Sequence, residues 1–125
     1  MSTVMSPLTA ADELSNANTV KVLADAGDRV LYFSRFPIPY SRLPVPPRGP
    51  WACFRHVGLY GYRRETLLRF RDLPVSPAER AESLEQLRAL ENGISIGITR
   101  VDFESVGVDT PEDLERVRGI LKSRG

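Results

Sequence analysis

A chain of 125 residues with 42% hydrophobic side chains is long enough for one domain around one modest core. Its 17 basic and 16 acidic residues leave a net charge of +1, which excludes a global field for nucleic acid or anionic membranes and makes any phosphate binding local. The single cysteine, Cys53, excludes an internal disulfide, and neither a signal-like start nor a membrane-length apolar run is present, so the expectation is a soluble cytoplasmic protein.

In chain order, the first readable unit is "NTVKVLADAGDRVLYFSR". Two runs rich in valine, tyrosine and phenylalanine flank a Gly-containing turn, which predicts a β-hairpin over Thr19 to Ala24 and Arg29 to Ser34. Arg35 ends the second run, where its planar guanidinium suits either a bidentate carboxylate or plain solvent. Next, "FPIPYSRLPVPPRGPW" holds five of the chain's ten prolines before Gly49 and a sixth after it. Prolines at that density remove backbone donors and forbid helix, so Phe36 to Pro50 reads as an extended loop, a candidate cover for a site.

"ACFRHVGLYGY" reads as strand, with Gly58 and Gly61 as points for a bulge or close backbone approach. Alternation puts His56, Gly58, Tyr60 and Tyr62 on one face, so a histidine and two phenols project together. That surface suits a hydroxyl-rich ligand, and equally an ordinary aromatic-paired sheet face. "RRETLLRFRDL" predicts a short helix. A second helix is expected over "SPAERAESLEQLRALENG", with Ser76 as N-cap, Pro77 in the first turn, Glu79 as the capping-box acid and Asn92-Gly93 as the stop. Its periodicity buries Ala81, Leu84 and Leu87 and leaves Glu82, Glu85, Gln86 and Arg88 on a charged, solvated face, where Glu82 or Glu85 would pair with Arg80 or Arg88.

"ISIGITRV" reads as strand and "TPEDLERVRGIL" as the closing helix, with Leu114, Val117 and Leu121 inward. Thr110, Pro111 and Asp113 complete its start. Asp109, one residue earlier, is surplus to that cap. A carboxylate between a strand and a helix stands where α/β proteins bind ligands, and a hard oxygen there suits Mg²⁺; a turn aspartate favoured by the helix dipole is the plainer alternative. Strands alternating with helices predict an α/β fold. There is no Walker loop and no G-x-G-x-x-G, and one histidine with one cysteine gives no zinc-site pattern.

"YFSR-x-x-IP", "RH-x-G-x-YGYR", "E-x-LEQLR" and "GVDTPEDLERV" occur together, in order, as in the second half of the 3-deoxy-manno-octulosonate cytidylyltransferases, the CMP-Kdo synthetases. The chain resembles that family from about Asn16 to Leu121. The resemblance implies the C-terminal half of a glycosyltransferase-A-like, Rossmann-like three-layer α/β/α domain with a mixed sheet. It further implies Mg²⁺-dependent transfer of CMP from CTP to Kdo, with release of pyrophosphate, for lipopolysaccharide synthesis by a homodimer. Asp109 matches a metal-binding aspartate of the family, and Arg35, His56, Tyr60, Glu85 and Gln86 match positions lining its Kdo pocket. The arginine would face the sugar carboxylate and the Glu-Gln pair the hydroxyl tail.

The family's phosphate loop, of the form "PAR-x-x-S-x-R-x-x-GK", and its "GDEP" metal segment do not occur here. Residues 1–125 are therefore expected to be a partial domain without the N-terminal CTP-binding half, inactive alone. A cytidylyltransferase for another acidic sugar such as sialate, or a non-catalytic sugar-binding or dimerisation remnant, are the alternative readings.

Overall fold

The hydrophobic alternation of the strands is realised as one mixed sheet, in a computed structural model that describes residues 1–8, 11–42, 53–102, 108 and 110–123. Strands β1 (Ser2–Pro7), β2 (Lys21–Ala24), β3 (Val30–Ser34), β4 (Phe54–Gly61) and β5 (Gly97–Arg100) lie in the order β3-β2-β4-β1-β5. Only β1 and β5 run parallel; the β1–β4, β2–β3 and β2–β4 pairs are antiparallel. The helices are α1 (Ala11–Ser15), α2 (Arg64–Arg71), α3 (Pro77–Glu82), α4 (Gln86–Glu91) and α5 (Pro111–Ser123). Helices interleaved with a mixed sheet make the α/β fold that the element order predicts.

The hairpin forms with slightly shorter strands than predicted. Its turn is organised by the Asp25 carboxylate, which accepts from the backbone N–H groups of Gly27 (2.8 Å) and Arg29 (2.9 Å), while Asp28 takes a left-handed φ of 55°. Strand β4 carries the irregularity that its glycines suggest. The β1–β4 register passes from Val4↔Val57 to Ser2↔Gly61, so β4 bulges over residues 58–60. A Cβ on Gly61 would stand 2.7 Å from Ser2 Oγ, so a side chain there would require the Ser2 hydroxyl to rotate away where the strands close up again.

The core forms where one face of the sheet meets α2 to α4. Met5, Val22, Phe33 and Ile98 from strands join Phe70 of α2, Leu84 between α3 and α4, Leu87 and Ala89 of α4, and Ile94 and Ile96 ahead of β5. Across β4, Arg55 donates from Nε to Ser6 Oγ (2.8 Å) and pairs with Glu13 (3.2 Å), which ties down α1, an element the sequence patterns did not indicate.

The helix expected from Ser76 to Gly93 is two helices. It starts as predicted, with the Ser76 N–H donating to the Glu79 carboxylate (3.2 Å), and it stops at Gly93, whose φ is +71°. Between these points Ser83 adopts a left-handed conformation (φ 52°, ψ 48°) and ends α3. The break rotates α4 relative to the continuous helical pattern, so Ala81 is exposed whereas Gln86 is 4% exposed and Ala89 fully buried, which corrects both the predicted stripe and the solvated face assigned to Gln86. Arg88 pairs with Glu79 (Nη2 to Oε1, 3.1 Å) rather than with Glu82 or Glu85, and it stacks over Phe70 at 4.8 Å.

Helix α5 is capped as predicted: Asp113 N donates to Thr110 Oγ1 (3.2 Å) and Thr110 N to Asp113 Oδ2 (3.0 Å). Its expected inward face is not buried. Leu114 and Leu121 are 41% and 65% exposed, and the helix has no buried residue. Most of the proline-rich loop lies outside the described residues; the part from Phe36 to Arg42 has neither helix nor strand.

Candidate functional site

Strand β4 supplies a wall of rings. Because Met5 pairs directly with His56, the His56 side chain lies on the Met5 face of the sheet, edge-on to Phe33 with centroids 4.8 Å apart. The ladder continues from His56 to Tyr60 (5.2 Å), to Tyr62 (6.1 Å) and to Phe70 (6.3 Å), so the three side chains predicted to project together do so. Burial lowers the His56 pKa from 6.5 to about 4, so the ring is neutral at pH 7. Burial also pushes the Tyr60 hydroxyl well above its ordinary value, with Tyr62 and Glu85 adding to the effect. Tyr62 is raised too, by burial and then by Glu85. Glu85, exposed at the N-terminus of α4, therefore stands within electrostatic reach of both phenols, and Gln86 follows it into the interior.

The left-handed break that places Glu85 and Gln86 is held by the end of β3. Arg35 donates from Nε to the carbonyl of Glu82 (2.7 Å), from Nη2 to that of Ser83 (3.3 Å) and from Nη1 to that of Ala17 (2.9 Å). The first two are carbonyls that a helix end leaves without intrahelical partners. In return the Glu82 carboxylate accepts from Ser34 Oγ (2.6 Å) and from the Arg35 backbone N–H (2.8 Å). Arg35 is thus a clamp on the α3–α4 junction, with its remaining N–H groups as the only ones available to a ligand carboxylate.

Beside this junction lies Lys21, fully buried, with Nζ donating to the carbonyls of Asn16 (2.8 Å) and Thr19 (2.6 Å). Burial lowers its pKa, while the neighbouring Glu82 carboxylate opposes that shift and Arg35 adds to it. Sequence reasoning missed Lys21, Glu82 and Thr3, whose hydroxyl meets His56 Nε2 at 2.8 Å. A lysine flanked by valines in "TVKVL" was the one available signal, since a charge inside an apolar run is unusual unless it is partnered.

Of the predicted set, the structure gathers His56, Tyr60 and Glu85 into one neighbourhood, with Gln86 adjoining in sequence and Arg35 bound to the same junction. Asp109 lies outside the described residues. Among the described residues no group of three or more His, Cys, Asp or Glu side chains stands together where it could hold a metal ion. An open cavity of ≈ 330 Å³, lined among others by Glu65, Arg69 and Ile94, includes none of the predicted site residues. Among the described residues no helix is long and apolar enough to cross a membrane.

Residues 1–96 match the family model described as cytidylyltransferase. The 3-deoxy-manno-octulosonate cytidylyltransferase of Bdellovibrio bacteriovorus is 48% identical over 100% of this chain and 51% of its own length. That of Syntrophotalea carbinolica is 49% identical over 98% of this chain and 51% of its own. A solved structure of CMP:2-keto-3-deoxy-manno-octonic acid synthetase complexed with CTP superposes with a TM-score of 0.86 at 40% identity, covering 99% of this chain and 49% of that one. The chain spans about half the length of the relatives it matches.

Proposed function

The chain belongs to the cytidylyltransferase family, and on that premise we propose that it carries the sugar-acid side of a CMP-Kdo synthetase. The observation that carries this reading is the convergence of His56, Tyr60 and Glu85 beside the Arg35-clamped α3–α4 junction. Aromatic faces and neutral polar tips suit a hydroxyl-rich ring, and a guanidinium with N–H groups to spare suits its carboxylate. In the reaction the anomeric hydroxyl oxygen bonds to the α-phosphorus of CTP, the bond from that phosphorus to pyrophosphate breaks, and the hydroxyl proton is lost. Mg²⁺, with Asp109 as one ligand, would offset phosphate charge. The residues of the β4 wall and the α3–α4 junction act before that step: they orient the sugar acid and exclude water from one side of it.

Neither the phosphate loop nor the second metal aspartate occurs in these 125 residues, so the chain alone is proposed to bind Kdo without turning it over. Cytoplasmic location and homodimerisation belong to the same reading. Calorimetric titration with Kdo, with sialate and with CTP separately tests it. Kdo binding that is weakened by Glu85→Ala supports it, while preference for sialate moves the reading to another acidic sugar. Binding of none of them, with a stable dimer in sedimentation, would make the chain a structural remnant. Release of pyrophosphate from CTP, Kdo and Mg²⁺ at a rate abolished by Asp109→Ala would overturn the proposed inactivity.

A further inference from the structure

Thr3 sits in β1 at 3% exposure, two residues along the same sheet face from Met5, the direct partner of His56. Its hydroxyl oxygen meets three atoms of β4: His56 Nε2 at 2.8 Å, the Leu59 carbonyl at 2.8 Å and the Val57 carbonyl at 3.4 Å. A hydroxyl has one proton to donate, and carbonyl oxygens only accept. Were that proton directed at the ring, Thr3 Oγ1 and the Leu59 oxygen would face each other at 2.8 Å, part-buried, with no hydrogen between them. The arrangement closes only when Thr3 donates to Leu59 and accepts from Nε2–H. The β4 bulge over residues 58–60 is what turns the Leu59 carbonyl toward Thr3.

We infer that Thr3 is a positioning residue that holds His56 as its Nε2–H tautomer, so that Nδ1 is left as a hydrogen-bond acceptor and receives a hydroxyl, not a carboxylate, of the bound ligand. No residue among those described hydrogen-bonds to Nδ1. A neutral imidazole protonated at one nitrogen presents a lone pair at the other, and a carboxylate oxygen placed there would meet lone pair with lone pair. The depressed pKa agrees with a ring that accepts a hydrogen bond without taking a proton at neutral pH. Within the Kdo reading, on which the ligand half of this inference rests, it orients the sugar acid: the carboxylate toward Arg35 and a ring or tail hydroxyl toward His56.

His56 is the only histidine in the sequence, so the long-range ¹⁵N–¹H spectrum of the ¹⁵N-labelled chain shows one imidazole and needs no assignment. At pH 7 without ligand the expected pattern is a protonated Nε2 and an unprotonated Nδ1. Thr3→Ser should retain it, and Thr3→Val should shift both nitrogens toward a mixed or Nδ1–H pattern. An Nδ1–H ring in the parent chain or in Thr3→Ser overturns the inference, even if Thr3→Val fails to fold; so does a folded Thr3→Val with an unchanged spectrum. Adding Kdo should move the Nδ1 resonance. Kdo binding by calorimetry with Nδ1 unmoved overturns the hydroxyl assignment, whereas no Kdo binding overturns the functional reading and that assignment with it, the tautomer having been read without ligand.

Discussion

Two helix starts in this chain are spelled in nearly the same letters, Ser76-Pro77-Ala78-Glu79 and Thr110-Pro111-Glu112-Asp113, and they lead to opposite outcomes. Both caps form. The first opens a helix that breaks after Glu82, turns through a left-handed serine and resumes as α4, burying Leu84, Gln86, Leu87 and Ala89. The second runs unbroken from Pro111 to Ser123 and buries nothing. A cap satisfies N–H groups at its own end, so its effect is confined to the first turn. Beyond that turn the course of each helix depends on partners distant in sequence: Arg35 and Ser34 hold the first helix at residues 82 and 83, while among the described residues α5 has no buried side chain.

The widest separation between the two regions should come from equal truncations. Leu87→Ala, at a site 1% exposed, is expected to cost about 2–5 kcal/mol in urea unfolding. A loss below about 1 kcal/mol would mean that α4 is not packed as described. Acid should weaken the packed region next. His56 has a folded pKa of about 4 against an ordinary 6.5, so its neutral form contributes stability that is complete above pH 6.5 and is lost as pH falls through 4, roughly 3 kcal/mol in all. The protection of β4 and α4 amides, measured relative to the intrinsic exchange rate at each pH, should then fall between those pH values, with α5 amides weakly protected throughout, and His56→Gln should flatten the dependence. If α5 amides were as protected as those of α4 at neutral pH, the contrast between the regions would collapse.

Smaller effects refine it. Ser83→Gly should stabilise by about 0.5–1 kcal/mol, because glycine adopts a φ of 52° without the Cβ penalty and Arg35 still holds the adjoining carbonyls. A destabilised variant would show that the Ser83 side chain, not the backbone turn, matters. Leu114→Ala, at a site 41% exposed in α5, should change the unfolding free energy by less than about 0.5 kcal/mol. A cost comparable to that at Leu87 would reveal a buried face on α5.

The aromatic face of the candidate site was legible in the linear order of residues. Alternation alone placed His56, Tyr60 and Tyr62 on one face, since a strand repeats every second residue whatever it pairs with, and the ring ladder retains that relation across the bulge. The roles of Gln86 and Arg35 were not visible. A periodicity argument assumes an unbroken helix, and the break at Ser83 comes from hydrogen bonds between residues 48 and 47 apart in the chain. The buried Lys21 escaped for the same reason, because the Asn16 and Thr19 carbonyls that receive it are presented by a turn whose shape no residue pattern states.

By itself, then, the sequence determined what depends on neighbours within a turn or a strand: the hairpin, both capping boxes, the stop at Gly93 and the aromatic face of β4. Only the tertiary structure decided which nitrogen of His56 carries the proton, where the helix after Ser76 breaks and which of its residues are buried. Those outcomes depend on where single protons and carbonyls lie relative to strands and helices far off in the chain, and hydrogen bonds form only where both partners arrive within about 3 Å.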